Sequence, residues 1–385
     1  MAELAFPLLP AIGPPLAGIT TRVQSWHNFD TPSERARWTT LAGQTTEPNP
    51  FHAAWYALPA LRALDPAGSV QILAVEHEGK LIGVLPVRRE PRYYGRPIPH
   101  MASWMHANSF LGTPLVAKGG EHAFWSAALA WADREAGRSL FLHLAQLPLE
   151  GPLYTALTQV LDKQHRFHKI VHREERAMLA SDQSPGVYFE TSLSGKKRKE
   201  LRRQAARLAE LGNVRCVVEN DAAHLDSWIE AFLALEHSGW KGSAGSALAS
   251  HHATASLFRE ALSGAASAGQ LQRLSLWLDD EPVAMLVQFL SPPGAFSYKT
   301  AFDERFARFS PGVLLQRENL AILGRPDIAW CDSCATADHP MIDHIWRERR
   351  AIGRLSIAIG GPLRRGLFRQ IARLERGRKA ILDAS

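Results

Sequence analysis

Short apolar runs separated by polar turns fill residues 271–313, which are the most informative stretch of this chain. Apolar runs at 271–278 and 283–290 flank the polar turn 279–282, and a third run at 295–301 follows the sequence SPPG. Runs of this length between turn residues are typical of β-strands joined by tight connections. The pattern therefore predicts a three-stranded β-meander.

Beyond the meander and a polar segment, the sequence carries the signature of a helix start. Ser310 is a suitable N-cap and Pro311 a suitable first helical residue, and the helix-like VLLQRENLAIL follows Gly312. The N–H groups of Gly312, Val313 and Leu314 are expected to point out of the helix end, where free donors and the helix dipole favour a phosphate. The sequence therefore predicts an anion-binding helix start.

The strand–turn–strand pattern also occurs in the first half of the chain. A shift of 201 residues lays VEHEGKLIGVL at 75–85 over LWLDDEPVAML at 276–286, and the two turns coincide. Self-similarity at a fixed spacing indicates two copies of one fold, although two hairpins can also align by chance. We therefore expect a leader at 1–18, an N-terminal domain at 19–180, a C-terminal domain at 181–360 and a basic amphipathic helix at 361–385.

Composition limits the possible classes of protein. The 385 residues are 46% hydrophobic and 21% charged, which is typical of a globular protein long enough for two domains. We expect neither a signal peptide nor a transmembrane helix, and the three cysteines suit a reducing compartment. The net charge of +6 favours an anionic partner, such as CoA phosphates, an anionic membrane surface or nucleic acid.

Five stretches that are spread over most of the chain carry a family resemblance: PVAMLVQFL, SYKTAFDERFARFSPGVLL, LRRQAARLAELG, LEHSGWKG and NPFHAAW. They resemble the GNAT superfamily, in particular its tandem branch. That branch includes CelD-type acetyltransferases of cellulose and exopolysaccharide clusters and Fem-type peptidyltransferases, and bacterial ceramide synthases are also of GNAT type. The usual GNAT pyrophosphate loop is absent, and SPG stands in its place.

The resemblance implies the fold and the donor. It implies an α/β fold of two tandem GNAT-like domains, each with a mixed central sheet flanked by helices. It also implies acyl-CoA, either acetyl-CoA or a long-chain acyl-CoA, as co-substrate and no metal, with Arg308 and the helix start 310–314 holding the pyrophosphate. Because the first copy has no such helix start, we expect it to be non-catalytic and to shape the acceptor cleft.

Polar residues near the ends of two strands in the second copy are candidate catalytic groups. Tyr298 and Lys299 lie at the end of the meander, where the resemblance implies that they face the thioester or the acceptor; the alternative is an ordinary sheet surface. Asp332 and His339 follow a buried strand, and a hydrogen bond between them is expected to orient the imidazole. Asp343 is expected to contact the substrate.

A helix end supplies the other candidates. Glu236 or His237 is expected to take a proton from an amine, with Trp240 and Lys241 contacting the substrate at the rim of a pocket. The alternative is a helix C-terminus with a packed tryptophan. The CxxC sequence at 331–334 is expected to form part of an active-site wall. A zinc site or a redox dithiol is less favoured, because a structural zinc site needs four ligands.

Two basic segments have more than one interpretation. The helix predicted at 195–211 carries seven lysines and arginines, which indicate an anion groove or a solvated helix rather than a nucleic-acid contact, because interleaved aromatic residues are missing. The arginine-rich C-terminal segment is either a membrane-surface anchor or a helix packed on its domain. Its apolar residues on one helical face are Leu363, Leu367, Phe368, Ile371 and Leu374.

These observations favour an enzyme that transfers an acyl group from acyl-CoA to an amine. The expected acceptor is a lipid amine such as a sphingoid base, or an amino sugar of the envelope or an exopolysaccharide; a general base would deprotonate the amine for direct attack on the thioester. The alternatives are a Fem-like aminoacyl-tRNA-dependent peptidyltransferase and a non-catalytic scaffold in polysaccharide synthesis. We expect a cytoplasmic location, with peripheral binding to the inner face of the membrane.

Overall fold

The computed structural model describes residues 18–337 and 339–382, with side chains through Arg373. Apart from Gly18, the predicted leader lies outside the described residues. Within them, strands and helices alternate in a mixed α/β architecture, as predicted.

The described strands include the predicted meander as β9, β10 and β11. The strands are β1 Ile19–Ser25, β2 Gln71–His77, β3 Lys80–Glu90, β4 His100–Ser103, β5 Leu115–Val116, β6 Phe141–Pro148, β7 His168–Leu179, β8 Val214–Glu219, β9 Leu271–Leu278, β10 Glu281–Ser291, β11 Gly294–Phe302, β12 Trp330–Asp332 and β13 Glu348–Ala358. The α-helices are α1 Pro32–Ala42, α2 Ala54–Leu64, α3 Glu121–Arg134, α4 Pro152–Lys163, α5 Pro185–Ser192, α6 Gly195–Ala209, α7 Leu225–Ser238, α8 Trp240–Ser243, α9 His252–Ser267, α10 Pro311–Glu318 and α11 Pro362–Leu382.

The chain divides into two compact units. The first unit contains Ala67–Glu174 together with the described residues up to Ala54 and from Ala351 onward. Its sheet has the order β1-β2-β3-β4-β6-β13, with β5 beside β3. Neighbours in this order are antiparallel, except that β4 and β6 run parallel.

The second unit, Trp55–Pro66 with Glu175–Arg350, has the same topology. Its order is β8-β9-β10-β11-β12-β7, and the parallel pair is again the fourth and fifth strands, β11 and β12. Matching strand order and matching strand directions confirm that the chain contains two copies of one fold.

A shared irregularity in the hairpins supports the duplication. Pairing of β2 with β3 skips Ile82, which is the extra residue of a β-bulge. Pairing of β9 with β10 skips Val283, which lies 201 residues further on. Bulges are specific features of a sheet, so their coincidence at the predicted spacing argues against a chance alignment.

The units are interleaved along the chain, whereas the sequence analysis predicted consecutive segments meeting near residue 180. Helix α2 belongs to the second unit although it precedes β2, and the chain after Ala351 belongs to the first unit. Two of the four unit boundaries fall within β7 and β13. An apolar run predicts that a strand exists, but strands that follow each other in sequence are often not neighbours in the sheet.

The core of the second unit covers both faces of its sheet. On one face, alternate residues of β9 pack with Leu201 and Leu208 of α6. On the other face, Trp228 and Phe258 stack on Phe232 of α7, with ring centroids 5.4 and 5.0 Å apart. Side chains that alternate along a strand explain why both faces are apolar.

Helix α11 packs on the first unit through part of its predicted apolar face. Phe368 is buried and stacks on Phe141 with ring centroids 4.8 Å apart. Leu363 is 93% exposed and Leu367 is 51% exposed, whereas the side chain of Leu374 lies outside the described residues. The helix therefore docks on the first unit by its Phe368 side, and Leu363 and Leu367 stay exposed. Among the described residues, no helix is both long and apolar enough to cross a membrane.

Candidate active site

The candidate site lies where the parallel strands of the second unit stop pairing. Residues 294–296 of β11 pair with β12, and the residues that follow do not. Along its other edge, β11 pairs Lys299 with Val287 and Ser297 with Gln288, so Tyr298 is the extra residue of a β-bulge. A bulge changes the direction of side chains on a strand and occurs frequently next to active sites.

Tyr298 is buried and stays protonated. Its hydroxyl lies 3.1 Å from the hydroxyl of Tyr56 on α2, and its ring stacks on Phe289 with centroids 4.8 Å apart. Burial raises the pKa of Tyr298, and the charge of Glu236 acts in the same direction. A phenol held neutral in this way is a proton donor rather than a base.

Lys299 lies beside Tyr298 in an environment that disfavours its charge. Burial lowers the pKa of Lys299 to about 8; Glu236 opposes this effect and Lys241 reinforces it. The lysine therefore titrates within reach of physiological pH, and it does so beside an acid and a second cation.

Glu236, which is buried, forms an ion pair at the end of α7 with Lys241, whose side chain is 26% exposed. Glu236 Oε1 accepts from Lys241 Nζ at 2.8 Å, and Oε2 accepts from the Leu248 N–H at 2.8 Å. Gly242 allows the chain to turn back here, because a Cβ at this position would lie 1.7 Å from the His237 carbonyl oxygen. The small glycine in the GWKG sequence thus allows the tight turn that brings Lys241 back to Glu236.

His339 joins the same group of residues. Burial lowers its pKa, Lys241 acts in the same direction, and Asp343 opposes both. Its Nδ1 atom is buried and has no hydrogen-bond partner among the described residues. The imidazole is therefore neutral near pH 7 and can accept a proton. We call Glu236, Lys241, Tyr298, Lys299 and His339 the Tyr298 cluster.

Asp332 has a different role from the one predicted. Its Oδ2 accepts from Arg176 at 2.6 Å and Arg350 at 2.9 Å, and its Oδ1 accepts from the Cys334 N–H at 2.9 Å. Burial raises the pKa of this carboxyl, but the two guanidinium groups outweigh burial and hold the pKa below its ordinary value. The predicted hydrogen bond to His339 is wrong, because two stronger partners occupy the carboxylate.

The two cysteines beside Asp332 are buried and free. Burial raises the pKa of Cys331 and Cys334, and Asp332 adds to the effect, so both thiols stay protonated. Throughout the described side chains, no three His, Cys, Asp or Glu residues are grouped as a metal site requires.

The helix start at 310–314 forms, but its donors are not all free. Ser310 precedes α10 with a left-handed φ of 53°, and its carbonyl accepts from the N–H groups of both Val313 and Leu314. A Cβ on Gly312 would meet Met341 Sδ at 2.8 Å, so a side chain packs against this turn. The expectation of three outward N–H groups is therefore wrong for Val313 and Leu314, because the carbonyl of Ser310 takes both.

Three further candidates lie apart from these contacts, and a fourth, Asp343, donates its backbone N–H to the carbonyl of His339. Trp240 is 60% exposed, so the alternative of a packed tryptophan is wrong, and its backbone N–H donates to the Glu304 carboxylate. His237 and Arg308 are exposed as well. Asp343 forms an ion pair with Arg349 at 3.2 Å.

The basic helix α6 neutralises part of its own charge. Arg198 and Arg202 pair with Glu190, and Arg203 pairs with Glu200. Exposed pairs of this kind are typical of a solvated helix surface.

Sequence reasoning missed three residues that shape the site. Tyr56 follows directly after the stretch NPFHAAW that carried the resemblance, but no spacing linked it to Tyr298. Arg176 and Arg350 belong to strands far apart in the chain. The Asn49-Pro50-Phe51-His52 stretch instead closes a loop of the first unit, where Asn49 donates to the carbonyls of Leu111 and Thr113.

Comparisons with known proteins agree with this architecture. The sequence model of a family described as an acetyltransferase (GNAT) domain matches residues 195–339. No curated protein matches the chain.

Solved structures share the fold at low sequence identity. The crystal structure of FemX is 11% identical with a TM-score of 0.54, and the match covers 86% of this chain and 97% of FemX. A conserved protein of unknown function from Bacteroides thetaiotaomicron VPI-5482 is 11% identical with a TM-score of 0.53, covering 86% and 97%. The C-terminal domain (DUF2156) of a putative lysylphosphatidylglycerol synthetase from Agrobacterium fabrum is 10% identical with a TM-score of 0.52, covering 89% and 96%.

The family match begins at the first residue of α6 and ends at His339, so it spans the meander, the bulge at Tyr298 and the whole Tyr298 cluster. Residues 195–339 are a GNAT acetyltransferase domain, and the protein is an acyltransferase of GNAT type.

Proposed function

We propose that the second unit transfers an acyl group from acyl-CoA to an amine at the Tyr298 cluster. The observation that carries the proposal is that a buried phenol, a neutral imidazole and a lysine whose pKa is about 8 all lie around the Glu236–Lys241 ion pair. Groups whose environments separate their pKa values in this way suit the acid and base steps of one reaction.

In the proposed reaction, His339 removes a proton from the acceptor ammonium. The amine lone pair attacks the thioester carbon, and Lys299 stabilises the negative charge that develops on the carbonyl oxygen. The carbon–sulfur bond then breaks, and the leaving thiolate takes the proton of Tyr298. The nitrogen of the intermediate gives its second proton to the Tyr298 phenolate, which yields the amide and restores the phenol; the proton on His339 leaves to solvent. The Glu236–Lys241 pair holds the charges around Lys299 in place.

The proposed acceptors are a lipid amine, such as a sphingoid base, and an amino sugar of the envelope or an exopolysaccharide. The exposed Leu363 and Leu367 next to the arginines of α11 support an acceptor at an anionic membrane surface. The proposed donor is acetyl-CoA or a long-chain acyl-CoA, with its phosphates near the exposed Arg308.

A CoA-release assay tests the proposal. The full chain is incubated with acetyl-CoA or palmitoyl-CoA and with sphinganine or glucosamine. His339→Gln is expected to lower kcat by about 100-fold, as loss of a general base does. His344→Gln is the matched control, because His344 lies on the same loop and is exposed. Equal activity of the two variants, with both folded, would remove His339 from the mechanism.

A second candidate donor is aminoacyl-tRNA, as in Fem-type enzymes, and the shared fold with FemX motivates it. Thermal-shift titration with CoA, acetyl-CoA and palmitoyl-CoA separates the donors, because a ligand of the folded state raises the melting temperature. A shift with palmitoyl-CoA above CoA favours the lipid amine. No shift with any of the three, together with binding of aminoacyl-tRNA, favours the second candidate.

A further inference from the structure

The first unit contains a cavity of about 570 Å³ that no residue of the Tyr298 cluster lines. It opens where the parallel strands β4 and β6 stop pairing. Their last pair is Ala102 with His143, and the Ala145 N–H then donates to the Ser103 hydroxyl at 3.0 Å. Diverging parallel strands leave a crevice at their ends, and ligands bind in such crevices of open sheets.

The wall of this cavity is positively charged. Arg88, Arg92 and Arg354 line it together with one acid, Glu90. Glu90 forms an ion pair with Arg88, which leaves the charges of Arg92 and Arg354 uncompensated by an acid of the wall. Arg354 donates to the Tyr94 hydroxyl at 3.0 Å, and this bond positions its guanidinium group.

Two buried histidines add acceptors rather than charge. His100 is 4% exposed and His143 is 8% exposed. The Nδ1 atom of His100 lies 3.2 Å from the carbonyl oxygen of Ile98, which can only accept, so Nδ1 carries the proton and Nε2 is an acceptor. Burial lowers the pKa of both rings, to about 3 for His143, and Arg354 acts on His143 in the same direction.

A ligand that matches this wall needs a negative group and a hydrogen-bond donor. We propose that the cavity binds a small hydroxylated organic anion, with its phosphate or carboxylate on Arg92 and Arg354 and a hydroxyl donating to His100. The exposed ring of Tyr94 supplies a surface for the carbon skeleton. This second site goes beyond the proposed acyl transfer and does not depend on it.

Isothermal titration calorimetry of the full chain with glycerol 3-phosphate, glycerate and glycerol tests the site. The three probes share a hydroxylated skeleton and differ in their anion. Binding of a charged probe without binding of glycerol supports the proposal, and the preferred anion distinguishes phosphate from carboxylate. Arg354→Gln is expected to weaken binding about tenfold or more, because it removes a charge-assisted hydrogen bond.

Two further variants keep the test decisive. Arg89→Gln is the matched control, because Arg89 is exposed, adjoins Arg88 on β3 and does not line the cavity. Ala145→Phe fills the cavity without changing its charge, and it should abolish binding even if Arg354→Gln fails to fold. Absence of binding by both anions, equal weakening by Arg354→Gln and Arg89→Gln, or unchanged affinity in Ala145→Phe would each overturn the proposal.

Discussion

Replacing Asp332 with asparagine should destabilise the protein strongly, because this residue anchors two buried arginines. The side chain of Asp332 is 0% exposed, and the side chains of Arg176 and Arg350 are 3% and 9% exposed. Asparagine keeps the size of the side chain and can still accept from the Cys334 N–H. It removes the negative charge, so two guanidinium groups stay buried beside a neutral amide.

The size of the effect follows from that geometry. Removing one partner of a buried ion pair costs about 3–5 kcal/mol, since the remaining charge stays desolvated. That is a large fraction of the free energy of unfolding of a typical protein, which is roughly 5–15 kcal/mol. Asp327 provides a matched control: it pairs with Arg325 at 2.9 Å, but their side chains are 42% and 31% exposed. Asp327→Asn should therefore cost only about 0.2–1 kcal/mol.

Urea unfolding of both variants at neutral and acidic pH checks this prediction. The pKa of Asp332 is lowered in the folded state, so its stabilisation is present above the unfolded pKa of about 3.9 and is lost as pH falls through the folded pKa. The gap between wild type and Asp332→Asn should accordingly close below about pH 4. A loss no larger than that of Asp327→Asn, or a gap that persists unchanged in acid, would refute the reasoning.

Three further outcomes are expected. The pKa of Lys299 is about 8 in the folded state and about 10.4 in the unfolded state, so the unfolded chain binds more protons between these pH values. In urea unfolding, the stability of the wild type relative to Lys299→Met should therefore rise from about pH 8 to about pH 10. A stability difference that does not change with pH would contradict this. Gly242→Ala should destabilise the chain and lower acyl transfer, because its Cβ meets a carbonyl at 1.7 Å, whereas Gly186→Ala, which meets nothing within 4 Å, should have little effect on melting or turnover. The double change Leu363→Ser and Leu367→Ser should reduce cosedimentation with anionic vesicles while leaving the melting temperature unchanged, and undiminished cosedimentation would exclude this face as the anchor.

Local patterns in the sequence predicted most secondary structure of the second unit. The meander at β9–β11 follows from apolar runs whose lengths and turns are contained in a few tens of residues. The helix start at Pro311 is likewise a local signal, because proline fits the first helical position. The same local signal could not show that Ser310 adopts a left-handed conformation, in which its carbonyl takes the N–H groups of Val313 and Leu314.

Contacts within the candidate site were harder to predict because they join distant parts of the chain. The sequence singled out Glu236 as a candidate base and Lys241 as a substrate contact, and the structure pairs these two residues, which are five positions apart. Asp332 was also singled out, but its partner Arg176 is 156 positions away, so proximity in sequence favoured His339 instead. The role of a charged residue that follows a buried strand is therefore ambiguous. The strand indicates that the residue is buried, but it does not indicate which opposite charge compensates the residue.

The interleaving of the two units follows from the same limit and has a consequence for the site. Tyr56 lies in α2 within the second unit, where its hydroxyl meets Tyr298 and its ring packs on Phe289 with centroids 5.8 Å apart. A segment cut at 181–360 would lack α2 and Arg176, leaving Asp332 with one of its two arginines. Tyr298 is the acid of the proposed reaction, and loss of α2 would remove its contact with Tyr56 and part of the burial that raises its pKa. The chemistry assigned to the C-terminal half therefore depends on residues that the N-terminal half of the sequence supplies.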